Sequence, residues 1–157
     1  MLAADGLTAT AETLDRVERL DEYDAVVLGS AVYMGRWLAP ARAFVEQHAE
    51  ALRARPTWLF SSGPIGDPPR PAADSAVDVD DLVTATNARE HRLFGGRVDK
   101  HRLGFGERAM MLAFRADDGD FRDWAAIEDW AHAIARDART ARPRADMLTS
   151  GASPTAP

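Results

Sequence analysis

The chain has 157 residues, 46% hydrophobic and 28% charged, with a net charge of −6 and no cysteine. That length suits one domain that buries a core of its own without a disulfide or metal staple. The acidic balance argues against a sequence-independent nucleic-acid binder, and the lack of cysteine excludes disulfides, thiolate nucleophiles and thiolate metal sites.

The opening MLAADGLTAT holds no basic segment followed by an apolar block, so no secretion signal is expected. MLAADG reads as the end of a helix closed by Gly6 as its C-cap, followed by an edge strand from about Leu7 to Glu12. Asp24 to Gly29 is a continuous apolar run, the pattern of a strand covered on both faces of a parallel sheet. Trp37 to Ala54 reads as a helix, with Leu38, Ala41, Phe44 or Val45, His48 and Leu52 on one face. Pro40 suits its first turn, Arg53 and Arg55 suit its end, and Pro56 stops it. Thr57 to Ser61 is a second strand, so strand, helix and strand make a parallel crossover.

A Pro-rich surface loop is expected from Gly63 to Asp78, then a short helix from Asp78 to Ala88 and a short strand from His91 to Gly95. Gly106 to Ala116 reads as another helix. Asp120 is the expected N-cap of a last helix, with Asp123 three residues on and Phe121, Trp124, Ile127, Ala131 and Ile134 along one face. The domain is expected to occupy residues 1–140, and the tail from Ala141 to Pro157, rich in Ala, Pro, Arg, Ser and Thr, to be disordered. The longest apolar run near the middle, Ala109 to Phe114, is far shorter than the ~20 residues of a membrane helix. A cytoplasmic protein with no transmembrane segment is the expectation.

Alternating strands and helices imply a doubly wound α/β sheet, whose ligands bind outside the carboxyl ends of the strands. The two turns with unusual chemistry, Ser30 to Trp37 and Ser61 to Gly66, lie at such ends. Gly29, Gly35, Gly63 and Gly66 let backbone approach a ligand, while Ser30, Ser61 and Ser62 offer hydroxyls. Tyr33 and Trp37 offer flat faces with a polar edge. Each of these residues also makes an ordinary turn or cap. Jointly, at adjacent strand ends, they suit a planar heteroaromatic ring.

The stretches YDAVVLGSAVYMGRW, LFSSGPIG, HRLFGGRVDKHRLGFGER and DGDFRDWAAIEDWAHAIA together resemble the flavodoxin-domain proteins. The similarity is closest to the branch of menaquinone-dependent protoporphyrinogen oxidase-like flavodoxins and covers roughly Leu7 to Ala135. The resemblance implies a flavodoxin-like fold, FMN as cofactor and electron transfer or FMN-dependent oxidation. It places the isoalloxazine ring between Ser30, Ala31, Val32, Tyr33, Met34, Gly35 and Trp37 on one side and Ser61, Ser62, Gly63, Pro64, Ile65 and Gly66 on the other. Family members begin with a strand, a Ser/Thr-rich turn that cradles the FMN phosphate, and a helix. Too few residues precede Thr8 for a central strand, so Thr8, Thr10 and Thr13 are not expected to form that turn. The first strand and most of its helix are then expected to be absent, and the exposed strand edge to invite self-association. The alternative is a truncated or vestigial interaction module that binds no flavin.

The histidines, His48, His91, His101 and His132, show no metal-ligand spacing, so no metal is expected. Arg89, Arg92, Arg97, Lys100, His101, Arg102 and Arg108 make a basic run, either a solvated loop or a dock for carboxylates of a substrate or an acidic redox partner. Met110 to Phe114 suits a core helix face or a quinone or membrane contact. No catalytic side chain is assigned, since a flavin carries its own chemistry.

Overall fold

The structure, a computed structural model, describes residues 1–33, 35–63, 78–98 and 119–141. The apolar run at its centre forms β1, Val26–Tyr33. β1 does not stop at Gly29 but continues through Ser30, Ala31 and Val32, then reverses into β2, Arg36–Trp37. The reversal is a two-residue turn in which Val32 pairs with Trp37 and Tyr33 with Arg36. Gly35 has φ 75°, which a side chain would strain, so glycine makes the tight turn possible. Trp37 therefore belongs to a strand, and α1 begins two residues later, at Ala39–Arg53.

α1 buries Ala41, Phe44, Val45 and Leu52. His48, on the same stripe, is half-buried with its ring 4.4 Å from that of Phe44. At the far end the Thr57 hydroxyl donates to Leu52 O at 2.9 Å, binding the helix terminus to the start of β3, Thr57–Ser62. α2, Asp80–Thr86, ends on Asn87 in the left-handed conformation and leads into β4, Glu90–Phe94. β5, Arg97–Val98, pairs with β6, Gly119–Asp120, in a separate two-stranded ribbon. α3, Trp124–Ala141, closes the described fold.

The main sheet has the order β2-β1-β3-β4, and β1, β3 and β4 are parallel. One core lies between this sheet and α1 with α2, built on Leu28, Phe44, Val45, Leu52, Leu59 and Leu82. A second lies under α3, where Trp58, Phe94, Trp130 and Ile134 pack together. Helices on both faces of a mostly parallel sheet are the doubly wound α/β architecture. In the flavodoxin-like order 2-1-3-4-5, the last three strands are likewise neighbours in chain order. β1, β3 and β4 reproduce that sequential set.

Three sequence expectations are corrected. No strand forms over residues 7–12: the chain makes a 3₁₀ turn at Leu2–Asp5, ends it on Gly6 with φ 79° as expected, and then runs irregularly to a second 3₁₀ turn at Leu14–Arg16. A strand needs a partner strand for its backbone groups, and residues 8–12 are exposed and pair with no strand among the described residues. Asp120 lies in β6 and does not cap α3. Asp123 does, accepting Ala126 N–H at 3.0 Å. The buried stripe of α3 is Trp130, Ala131, Ile134 and Ala135, whereas Trp124 is exposed under the Arg122 guanidinium, 4.5 Å from its ring. The expected helix from Gly106 to Ala116, most of the Pro-rich loop and the tail beyond Ala141 lie outside the described residues.

Along β1, the edge away from β3 is only partly paired among the described residues. Val26 N–H donates to Pro56 O on the β3 side, so by alternation Val27, Gly29 and Ala31 direct their backbone groups the other way. β2 covers only Val32 and Tyr33 there, and no other described strand pairs with that edge.

Candidate functional site

The carboxyl ends of β1 and β3 are adjacent, with Ser30 beside Ser61 and Ala31 beside Ser62. Both of the turns singled out from the sequence begin there. Each is also anchored to a later part of the chain. Gly63 N–H donates to Phe94 O at 3.0 Å, anchoring the second turn to β4. Asp78 N–H donates to Gly35 O at 2.8 Å, and Arg36 lies 3.7 Å from the Asp78 carboxylate, so the chain returns to the first turn before α2. Met34 and Pro64, Ile65 and Gly66 lie outside the described residues.

The two aromatic residues play different parts. Tyr33 ends β1 with 49% of its surface exposed. Trp37 is 2% exposed, packed in the core beside Ala41, and its indole N–H donates to Ser61 Oγ at 2.7 Å. The expectation that Trp37 offers an open flat face is corrected: the two-residue turn puts it on the inward face of β2, where burial of a large ring outweighs exposure. Ser30 is also buried. Its hydroxyl donates to Ala31 O at 2.8 Å and accepts Leu38 N–H at 3.2 Å, fixing the junction between β2 and α1.

Ser61 is wholly buried and is the hub beneath the site. Besides the Trp37 indole it bonds His91 Nε2 at 2.8 Å. His91 is thus drawn into the assembly although metal-ligand spacing had given it no part. The available signal was strand parity: Ser61, and on β4 His91, sit on the same face as Leu59, which pairs with His91. Burial lowers the His91 imidazole below its ordinary 6.5, opposed by the Asp80 carboxylate at the start of α2. Gly29 lies under the Phe60 ring: a Cβ there would come within 2.1 Å of it.

The basic run is largely neutralised where it is described. Arg89 pairs with Asp137 at 2.6 Å and lies over Trp58, and Arg92 pairs with Glu90 at 2.6 Å. Lys100, His101, Arg102 and Arg108, and the Met110 to Phe114 stretch, lie outside the described residues. Among the described residues no helix is long and apolar enough to cross a membrane, and no three acidic or histidine side chains gather as metal ligands. A family model described as a flavodoxin domain matches residues 2–124. No curated protein matches the chain.

Proposed function

The chain belongs to the flavodoxin-domain family, and from that membership we propose that it binds FMN as an oxidoreductase or electron-transfer protein. The observation that carries this reading is the pair of turns at the adjacent ends of β1 and β3, tied to each other through the hydrogen bond from the Trp37 indole to Ser61. In this reading Ser30, Ala31, Val32, Tyr33, Met34 and Gly35 lie along one side of the ring, with Ser61, Ser62, Gly63, Pro64, Ile65 and Gly66 along the other. Tyr33, half-exposed at the strand end, supplies a face for stacking. Trp37 acts from below, holding Ser61 and the second turn in place. Bound FMN would supply one- and two-electron chemistry. The chain's contribution is to orient the ring, shield it from water and set the polarity at its rim.

The described residues fit the ring better than the phosphate. Thr8 and Thr10 are exposed on irregular chain, and Thr13 precedes a three-residue 3₁₀ turn without a side-chain cap bond. Charge-assisted bonds contribute roughly 1.5–3 kcal/mol each, so a cradle of several would favour FMN over riboflavin by orders of magnitude. The partner in this reading is a redox protein or a quinone, and a net charge of −6 disfavours nucleic acid. The similarity to protoporphyrinogen oxidase-like flavodoxins rests on stretches such as Asp120-Phe-Arg-Asp-Trp124 and makes a porphyrinogen a substrate to assay.

The edge of β1 that no described strand pairs beyond Val32 and Tyr33 favours a second reading, an interaction module without flavin. Reconstitution with FMN and with riboflavin separates the two. The first reading predicts a yellow protein that binds both flavins within roughly tenfold of each other, since tenfold is about 1.4 kcal/mol. Tyr33→Ala should weaken both by roughly three- to tenfold. A colourless protein after reconstitution would establish the second reading, and a preference for FMN of several orders of magnitude would put a phosphate cradle in the chain.

A further inference from the structure

Ser61 joins three strands through one oxygen. The indole N–H of Trp37, on β2, points at it from one side, and the Nε2 of His91, on β4, lies against it from another. Ser61 itself is the penultimate residue of β3, one before Ser62 and two before Gly63. An indole N–H is only ever a donor, so it occupies one of the two lone pairs of Ser61 Oγ. Among the described residues the acceptor for the hydroxyl proton is then the lone pair on Nε2 of a neutral imidazole. In that state the Trp37 indole, the Ser61 hydroxyl and His91 Nε2 are all partnered, and the bonds run in one direction, from Trp37 to Ser61 to His91.

A protonated imidazole reverses the second bond. Both of its nitrogens are then donors, and Nε2–H must point at Ser61 Oγ. The hydroxyl proton loses its acceptor in a place with no exposure to water. A buried donor left without a partner is costly, so the arrangement has to give at Ser61, at Trp37 or at both. Ser61 is the root of one turn of the site, and Trp37 lies two residues beyond Gly35 in the other.

We propose that Trp37, Ser61 and His91 form a protonation-sensitive relay that positions both turns, so that uptake of a proton at His91 loosens flavin binding. The proposal rests on the flavin reading for its ligand, though the relay itself is a property of the chain. Burial already holds the imidazole toward its neutral form. Among the described residues the charged group that faces it is Asp80, from the start of α2. Its strand neighbours Glu90 and Arg92 point to the opposite face and pair with each other, and Arg42 of α1 is engaged with Asp81. By linkage, a flavin that requires the ordered turns lowers the proton affinity of His91, and protonation lowers the affinity for flavin by the same factor.

Two measurements test the proposal, one without ligand. The Trp37 indole N–H resonance, assigned by its loss in Trp37→Phe, is followed from about pH 8 to about pH 5 together with the His91 imidazole. The two are expected to share a midpoint, and in His91→Gln the indole resonance should stay fixed. An indole that does not move while His91 titrates in the unaltered protein overturns the relay, whether or not flavin binds. The second measurement is flavin affinity over the same range, with riboflavin as the probe because the FMN phosphate itself titrates near pH 6. A rise in Kd of roughly tenfold toward acid, absent in His91→Gln, is expected. A coupled indole with a pH-independent riboflavin Kd overturns the link to the site. A coupled indole with no flavin binding at any pH supports the relay and overturns the flavin reading.

Discussion

Gly29 shows how one missing side chain is built into the core. Phe60 lies flat over it, in contact with Trp130 and Phe94, and a methyl group would fall 2.1 Å from the ring. Gly29→Ala must therefore displace Phe60 and the aromatic cluster behind it. We expect a loss of roughly 1–3 kcal/mol, read by denaturant unfolding with an unchanged slope. Unaltered stability would mean that Phe60 has another place to go. At this scale a glycine turn after β1 was legible in the sequence, but not its length or the part Gly35 plays in it. Trp37 was not, because the direction of a side chain beside a turn depends on the turn's length. A two-residue reversal places it opposite Val32 and so toward the core.

At the scale of elements, the parallel strands and α1 could be read from the sequence because their signals are periodic and local. The boundaries that failed are those decided by a neighbour. Residues 7–12 have strand-like alternation but nothing described to pair with. The last helix starts one turn later than its first acidic residue suggests. Asp120 is claimed by Arg122, whose guanidinium pairs with the carboxylate, leaving Asp123 to cap the helix. Asp123→Ala should then cost about 1 kcal/mol of stability. Asp120→Ala should cost less than Asp123→Ala, since exposed ion pairs contribute little. The reverse order in thermal unfolding would return the cap to Asp120.

For the whole molecule, pH separates the contributions of two groups. His91 has its proton affinity lowered by burial, so the unfolded chain binds that proton more readily than the folded one. Its contribution is present above the ordinary 6.5 and is lost as pH falls through that value toward the lower folded one. Asp120, held down to about 2 by its bond to Arg122, keeps its contribution until far more acid conditions. The melting temperature is thus expected to fall first just below pH 6.5, and His91→Gln should remove that early phase. The site as a whole was legible as two turns at adjacent strand ends, while the hub beneath it was not, since strand register had to bring His91 and Ser61 together. The side of β1 that no described strand pairs also bears on assembly, because unpaired strand edges recruit other chains. Light scattering that grows with concentration, and is suppressed in Ala31→Lys, would identify that edge as the contact, and concentration-independent scattering would rule it out. That same edge makes β1 two strands in one to solvent deuterium. The amides of Val26, Leu28 and Ser30, turned toward β3, should exchange slowly, while those of Val27, Gly29 and Ala31 exchange fast, giving alternate residues of a single strand different lifetimes.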